Sequence, residues 1–308
     1  MPVEFINPRL PIMPPLSPHR RDFLKFSATA FGTAALSLRA AAPRPGTIRL
    51  IVRGDDMGFS HSGNAALIQC YREGIETSIE VIAPSPWFPE AVRLLAQPEN
   101  TGVDVGVHLA LTSEWDNVKW RPLTAGPSLV DADGYFFPML RPNKNYPGRA
   151  LAENKWQPAE VEREFRAQIE LVRRHVPRVN HVSAHMGCSG LAPEVAAMTR
   201  RVARELGVDI DLDEHGVKLM RYAGPKTTAA EKLPSFLKAL DSLEPGSTYW
   251  FIDHPGLDTP ELRAIGHIGY ENVAADRQGV TDTWTHPEVK ALIKARGIRL
   301  IGYRDLRR

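Results

Sequence analysis

Short apolar runs alternate with longer amphipathic stretches along most of this chain, and no other feature constrains the fold as strongly. Strand-like runs lie at 48–52, 77–82, 104–111, 179–184, 208–212, 248–252 and 298–303. Helix-like stretches lie between them at 62–73, 86–96, 158–175, 192–206, 234–243 and 286–296. Strands that alternate with helices of about ten or more residues form β-α units, which assemble into a parallel sheet that is either open or closed into a barrel. We therefore predict a single α/β domain over residues 44–308.

The first 43 residues differ from the rest and predict an export signal. Arg20 and Arg21 are adjacent, the run 26–38 is mildly apolar, and the segment 39–42 ends in alanines. A charged region, a short apolar core and small residues before a cleavage site form a secretory signal, and the paired arginines indicate the Tat route. An amphipathic surface helix after a basic turn is the alternative. We expect a periplasmic or secreted protein without a stable membrane anchor, because the apolar run is too short to span a bilayer.

Charge and cysteine content argue against some classes of protein. The chain has 38 basic and 36 acidic residues, so its bulk charge gives no reason to expect a nucleic-acid partner. Its two cysteines, Cys70 and Cys188, form no Cys-x-x-Cys motif, which argues against a structural zinc site. We expect two buried free thiols, with a single disulfide as the alternative that an exported protein permits.

Two adjacent carboxylates, Asp55 and Asp56, follow the first strand-like run closely. Like charges this close resist ionising together unless a cation or hydrogen bonds compensate them. One interpretation is a site in which one carboxylate binds a metal and its neighbour accepts a proton. The other is a turn in which aspartate caps the next helix, a role that Asp commonly fills. The pair alone does not decide between the two.

Ionisable residues also lie within, or directly after, three later strand-like runs. They are His108, His181, His185 and the pair Asp253-His254. In parallel α/β folds the carboxyl ends of the strands meet on one face, where active sites lie. One aspartate and two histidines can hold a metal and leave coordination positions open for water and substrate. The sequence therefore favours a catalytic metal site over separate core histidines, provided that two of the histidines converge on the aspartate pair.

One long stretch, 113–157, interrupts the alternation and is rich in aromatic, Pro and Gly residues. Long loops inside compact α/β domains are commonly functional. Trp115 and the other aromatic residues of this loop would suit stacking on sugar rings. Equally, the loop would form a compact plug if it packed its own aromatic side chains together. Both interpretations stay open at this point.

Several short motifs together resemble those of the YdjC-like carbohydrate deacetylases. The resemblance covers essentially all of residues 44–308. It rests on Arg53-Gly54-Asp55-Asp56-Met57-Gly58-Phe59-Ser60, Asn64, Gly74-Ile75, Thr77-Ser78, Gly106-Val107-His108-Leu109-Ala110-Leu111-Thr112, the segment 181–185, His254-Pro255-Gly256, Arg277 and Gly297-Ile298-Arg299-Leu300-Ile301. It implies a distorted TIM-type β/α barrel related to polysaccharide deacetylases. It also implies a metal-dependent hydrolase that removes N-acetyl groups from an amino sugar or a short oligosaccharide.

The resemblance assigns metal-binding and catalytic roles to individual residues. It implies that Asp56, His108 and His185 bind one divalent metal ion, Mg²⁺ or Zn²⁺. It makes Asp55 the base that activates water and His254 the acid that protonates the leaving amine.

Three residues are candidate contacts to the N-acetylated carbohydrate substrate. Arg277 fits the family pattern, and Trp115 belongs to the aromatic loop. His61 lies near the aspartate pair in sequence, although a helix-start position is its simpler explanation. A homodimer is one option for the assembly of the chain.

The chain departs from the family pattern in two places. Arg53-Gly54 stands where the family often has Asn-Ala, and Ser183 and Met186-Gly187 stand where it commonly has an acid and further histidines. These changes leave the implied metal set intact but alter its surroundings. Two other functions therefore stay open: a non-catalytic periplasmic glycan-binding protein, and a metal-dependent hydrolase of another amide or of an ester.

Overall fold

The computed structural model describes residues 46–307. The strands of this region are β1 Arg49–Met57, β2 Ser78–Val81, β3 Asp104–Leu109, β4 His181–Ala184, β5 Lys218–Leu219, β6 Thr248–Asp253 and β7 Arg299–Leu300. All pair in parallel in the order β4-β3-β2-β1-β6-β5, and β7 pairs with the start of β1. Within residues 46–307 the edge strands β4 and β5 do not pair with each other, so the curled sheet is a half-barrel rather than a closed one. The predicted α/β class with a parallel, barrel-like sheet is confirmed.

Helices follow most of the strands, with bounds close to the predicted ones. They are α1 His61–Glu73, α2 Phe88–Leu95, α3 Pro158–His175, α4 Pro193–Glu205, α5 Ala229–Asp241, α6 Pro260–Arg263, α7 Val273–Thr285 and α8 Pro287–Ala295. Ser60 caps α1 by accepting a hydrogen bond from the N–H of Gly63. Proline stands in the first turn of α3, α4 and α8, where a backbone N–H would have no partner within the helix.

The apolar core lies on both faces of the central strand β1. Leu50 and Val52 pack against residues of α5, α7 and α8. Ile51 packs on the opposite face with Ile301 and Tyr303. A third and larger cluster joins β2 and β3 to helices α1 to α4. Burial of both faces of β1 is typical of a central strand in a parallel sheet.

One predicted strand is wrong, because residues 208–212 form no strand. The carboxylate of Asp211 accepts a hydrogen bond from the N–H of Asp213 at 2.8 Å, which bends the chain where the strand would continue. The strand beside β6 is instead β5, which has only two residues. A pair that short carries no periodic signal in the sequence.

The sequence pattern also fails to predict α6 and α7. Helix α7 contains Gly279 and three threonines, which are weak helix formers. The hydroxyls of Thr281 and Thr283 donate to backbone carbonyls one turn earlier, at 3.2 and 2.7 Å. Helix α5 begins before its predicted start, where the carboxylate of Glu231 accepts a hydrogen bond from the N–H of Thr228 at 3.0 Å.

The long loop 113–157 buries most of its aromatic side chains. It is irregular apart from isolated bridges and two short 3₁₀ turns, Pro127–Leu129 and Leu151–Glu153. Its buried aromatic residues are Trp115, Trp120, Phe136, Phe137 and Tyr146. Their burial argues against stacking of these rings on a sugar, and the rings of Trp115 and Tyr146 lie against residues outside the loop, such as Phe59 and His267.

The remaining predictions about the chain have different outcomes. Cys70 and Cys188 are both buried and free, as favoured. None of the helices in residues 46–307 combines the length and apolar character needed to cross a bilayer. The export signal and the domain boundary at residue 43 lie outside the described residues and stay predictions.

Candidate metal centre

A bulge at the end of β1 brings the carboxylates of Asp55 and Asp56 to the same nitrogen of His108. The register of β1 against β2 shifts between Gly54 and Met57. Asp56 has a φ of 73°, a left-handed conformation that Asp adopts more readily than most residues. Successive side chains of a regular strand point to opposite faces. Here a single nitrogen, Nε2 of His108, lies 3.5 Å from Asp55 Oδ2 and 3.4 Å from Asp56 Oδ1, so the bulge re-aims the pair.

Two histidines from neighbouring strands converge on Asp56. His108 is part of β3, and His185 directly follows β4, which pairs with β3. Nδ1 of His185 lies 3.1 Å from Asp56 Oδ1, the oxygen that His108 also approaches. The three residues are buried, and one candidate ligand atom from each lies within 4.8 Å of the others. One carboxylate oxygen and two imidazole nitrogens are a donor set that fits a divalent transition-metal cation.

The ring nitrogens that face away from Asp56 are both anchored. Nε2 of His185 lies 2.9 Å from Oε2 of Glu114. Nδ1 of His108 lies 2.7 Å from Oγ of Ser183. Metal-binding histidines characteristically have such a partner, which fixes the ring orientation and the tautomer. The nitrogens left to face the cluster are therefore Nε2 of His108 and Nδ1 of His185.

Asp56 is a buried carboxylate surrounded by cationic groups. Its Oδ2 accepts a hydrogen bond from Nη2 of Arg277 at 2.8 Å, and Nε2 of His254 lies 3.9 Å from the same oxygen. Burial alone would raise the pKa of Asp56. His254, Arg277 and His185 outweigh burial and hold this pKa well below its usual range. Asp56 is therefore ionised, as a metal ligand must be.

His185 is held between two carboxylates. Burial alone would lower the pKa of His185, but Glu114 and Asp56 on opposite sides of the ring raise this pKa to about 10. In the metal-free protein the ring is thus an imidazolium that donates from both nitrogens. Glu114, which is buried in the loop that follows β3, was not among the predicted site residues. The sequence signal that could have indicated Glu114 was an acid just beyond the strand that carries His108. That acid lies within a loop that shows no periodicity.

Asp55 is fixed by Arg53, which lies two residues earlier on the same strand. Nε of Arg53 lies 2.9 Å from Oδ1 of Asp55, and Nη2 lies 3.1 Å from Oδ2. Arg53 also donates to the hydroxyl of Tyr303 at 3.1 Å and lies over the ring of Trp250 at 4.7 Å. The hydrogen bond from Nη2 to Oδ2 and the close approach of Nε together hold the carboxylate of Asp55 in place. The spacing of two residues, which places both side chains on one face of a strand, was the available sequence signal.

His254 is the most exposed member of the group, with 39 % of its side chain accessible. Its Nδ1 lies 3.6 Å from Oδ1 of Asp253, whose Oδ2 accepts a hydrogen bond from Tyr222 at 2.8 Å. Desolvation would lower the pKa of His254, but Asp56 and Asp253 outweigh it and raise this pKa. A protonated imidazole at the solvent-facing side of the cluster is placed to donate a proton to a leaving group.

The predicted substrate contacts have different positions. Arg277 is buried, and its guanidinium lies over the rings of Phe59 and Trp115, at 4.6 and 5.3 Å. Trp115 is only 1 % exposed, so it supports Arg277 from behind instead of offering a ring face to a ligand. His61 begins α1 with an exposed ring, and its Nδ1 lies 2.9 Å from Glu90. The structure thus brings Arg277 to Asp56 and places His61 at an exposed position beside Glu90.

Comparison with known proteins agrees with this architecture. The profile described as YdjC-like protein matches residues 49–295. A carbohydrate deacetylase of Thermus thermophilus is 31 % identical over 268 residues, which cover 79 % of this chain and 89 % of that protein. Carbohydrate deacetylase 2 of Listeria innocua is 24 % identical over 267 residues, which cover 84 % of this chain and 99 % of that protein.

A solved structure has the same fold. It is a protein from Enterococcus faecalis that is named after cellobiose-phosphate cleavage. It superposes with a TM-score of 0.64 at 22 % sequence identity, over 84 % of this chain and 99 % of that chain. The likeness at this level of identity concerns the fold.

Proposed function

This chain belongs to the YdjC-like family, and on that premise we propose that it is a metal-dependent carbohydrate deacetylase. Its substrate is an N-acetylated amino sugar or a short oligosaccharide. The observation that carries the proposal is the convergence of Asp56, His108 and His185 beside Asp55 and His254. The two relatives named carbohydrate deacetylases support the hydrolase class and the kind of substrate.

The residues of the cluster fit one divalent cation. Asp56 is ionised, and the two histidines direct one nitrogen each toward it while their other nitrogens are anchored. Two imidazoles with one carboxylate suit Zn²⁺ better than Mg²⁺, which prefers oxygen ligands. When bound, such a cation supplies Lewis acidity, which polarises a carbonyl and lowers the pKa of water.

Asp55 and His254 divide the proton transfers of amide hydrolysis. Water adds to the acetamide carbonyl carbon, and Asp55, oriented by Arg53, takes a proton from that water. The C–N bond then breaks as His254 gives its proton to the sugar nitrogen, and acetate and a free amino sugar result. Arg277 balances the charge of Asp56 throughout.

Two alternatives use the same site differently. A metal-dependent hydrolase of another amide or of an ester would need the same cluster, base and acid. A glycan-binding protein without turnover would need none of them together. The presence of Asp55 and His254 beside the cluster therefore favours an enzyme.

The experiment that tests the proposal is acetate release from chitooligosaccharides and from other N-acetylated glycans. The wild type releases acetate with added Zn²⁺ and loses this activity after chelation, and Asp55→Asn releases almost none. A wild type that releases no acetate from a broad panel, yet binds those glycans equally well after metal removal, is a glycan-binding protein. Release of a different acyl group or ester cleavage alone would favour the other hydrolase.

We also propose export through the Tat pathway, on the strength of the sequence of residues 1–43. Replacement of Arg20 and Arg21 by lysine would keep the charge and remove the paired arginines that the pathway reads. Fractionation of cells that express the wild type or this double-lysine variant tests the proposed Tat route. Equal amounts of mature protein in the periplasm would contradict the Tat route.

A further inference from the structure

The two histidines of the metal cluster are anchored in different ways. His185 contacts the carboxylate of Glu114 directly, whereas His108 contacts the hydroxyl of Ser183. A carboxylate only accepts hydrogen bonds, but a hydroxyl both donates and accepts. Ser183 alone therefore leaves open which nitrogen of His108 carries the proton. The other hydrogen-bond partner of Ser183 determines which nitrogen of His108 carries the proton.

That partner is Glu80, a fully buried residue of β2. Oγ of Ser183 donates to Oε2 of Glu80 at 2.6 Å. Because this bond uses the only hydrogen of the hydroxyl, Ser183 must accept from Nδ1–H of His108 over 2.7 Å. This bond places a proton on Nδ1 of His108 and so leaves Nε2, the atom that faces Asp56, as the nitrogen that would bind a cation.

The sheet is built to let Glu80 reach Ser183 across an intervening strand. Glu80 on β2 is opposite Gly106 on β3, which is in turn opposite His181 on β4. A Cβ atom at Gly106 would lie 2.1 Å from Oε2 of Glu80 and 2.5 Å from Nε2 of His181. Glycine at this position therefore provides the space that the carboxylate occupies.

Glu80 carries its charge in the interior. Its Oε1 lies 2.6 Å from Nε2 of His181 and accepts a hydrogen bond from Ser78 at 3.1 Å. Burial alone would raise the pKa of Glu80, but His181 and Arg53 outweigh it and lower this pKa to about 2. As an ionised carboxylate, Glu80 accepts from Ser183, which agrees with the direction of the bond inferred above.

We propose that Glu80 is a positioning residue of the metal site, which acts on His108 through Ser183 as Glu114 acts on His185. It fixes the tautomer and the ring orientation of a metal ligand without touching metal or substrate. The inference rests on the proposed function only in requiring that a cation occupies the cluster. It is independent of the identity of the glycan.

The first test measures binding of Zn²⁺ alone to the full chain by titration calorimetry. Ser183→Ala weakens Zn²⁺ affinity by about 10- to 100-fold, as loss of such an outer partner does in other metal sites. Ser78→Ala is the matched control, because it removes a serine hydroxyl from the other oxygen of the same carboxylate. It leaves the affinity unchanged. Equal losses in the two variants, or no loss in Ser183→Ala, would overturn the proposal.

A rescue experiment separates positioning from general damage to the core. Glu80→Gln also disturbs His181, so a fall in affinity alone would be ambiguous. Adding Ser183→Asp to Glu80→Gln places a carboxylate directly beside Nδ1 of His108 and restores Zn²⁺ affinity. If the double variant folds, by circular dichroism, but stays as weak as Glu80→Gln, the proposal is wrong. If neither glutamine variant folds, the comparison of Ser183→Ala with Ser78→Ala decides.

The tautomer of His108 provides a readout that needs neither metal nor activity. Imidazole ¹⁵N spectra of the metal-free wild type show the proton of His108 on Nδ1, and Ser183→Ala shows a mixture of tautomers. A wild type that carries its proton on Nε2 and none on Nδ1 would overturn the proposal. A wild type that binds no Zn²⁺ would instead contradict the proposed function, and the spectrum would still decide the direction of the hydrogen bonds.

Discussion

Nε2 of His185 lies 2.9 Å from Oε2 of Glu114, while Nδ1 of the same ring lies 3.1 Å from Oδ1 of Asp56. The two carboxylates raise the pKa of His185 to about 10 against the opposing effect of burial. The metal-free ring therefore holds a proton on Nδ1, the atom that faces the cluster. A cation bound there must replace that proton, so metal binding and deprotonation are linked.

We expect Zn²⁺ affinity to fall as the pH is lowered. Below a pKa of about 10 the folded protein keeps the proton on His185, so each unit of pH removed costs roughly a factor of ten in affinity. Calorimetry in two buffers of different ionisation enthalpy should show about one proton released per Zn²⁺ ion near neutral pH. In Glu114→Gln fewer protons are released, because one of the two charges that raise the pKa is gone. Affinity that is constant between about pH 6 and 8 would contradict the linkage.

The adjacent aspartates should separate metal binding from proton transfer. Asp55→Asn removes the proposed base but no ligand, so we expect kcat to fall by about 10²- to 10⁴-fold with Zn²⁺ affinity nearly unchanged. Asp56→Asn removes the carboxylate ligand, so Zn²⁺ affinity itself should fall. Activity assays combined with Zn²⁺ titrations measure both effects. The two variants are matched in chemistry and position, and loss of metal in Asp55→Asn would reverse the assignment.

Arg277 and a bound cation share the carboxylate of Asp56, which leads to a prediction about stability. Arg277→Met leaves Asp56 without its buried partner and should destabilise the metal-free protein by about 3–5 kcal/mol. Zn²⁺ then replaces the missing positive charge, so its addition should raise the melting temperature more in the variant than in the wild type.

Arg263→Met is the matched control for that prediction. It makes the same substitution at an exposed pair with Asp258, where an ion pair contributes little. Thermal unfolding with and without Zn²⁺ should not distinguish Arg263→Met from the wild type. An equal rise in melting temperature for Arg277→Met and the wild type would show that Arg277 and the cation do not share Asp56.

The convergence of the site was predictable because it follows from sheet topology. Parallel strands bring their carboxyl ends to one face, so acids and histidines at those ends meet whatever the helices between them do. Asp56, His108 and His185 lie on or directly after β1, β3 and β4, and the alternation of strands and helices predicts that they lie on one face. The choice of these histidines over His181, which contacts Glu80 instead, came from the family resemblance.

The residues that hold the histidines of the site in place were not predictable in the same way. Glu114 reaches His185 from an irregular loop. Such a loop has no sequence periodicity from which its path could be predicted. Glu80 reaches Ser183 across β3 only because Gly106 is the residue opposite it. The register between β2 and β3 is set by tertiary packing and cannot be derived from the sequence of either strand. Trp115 was a candidate for sugar stacking because exposure cannot be inferred from a loop sequence, and the structure buries it.

His254 should control the alkaline side of the pH–rate profile. Asp56 and Asp253 raise its pKa above the ordinary value of about 6.5, so the imidazole stays protonated to higher pH. Activity that depends on this acid is present below the raised pKa and is lost as the pH rises through it. His254→Asn should lower kcat by about 10²- to 10⁴-fold and remove this limb from a profile measured at saturating metal and substrate.

Asp253→Asn tests the cause of that shift without removing the acid. It takes away one of the two carboxylates that raise the pKa of His254, so the alkaline limb should move to lower pH. The maximum rate should change far less than in His254→Asn, because the ring itself stays in place beside Asp56. An alkaline limb that persists unchanged in His254→Asn would assign the proton donor to a different group.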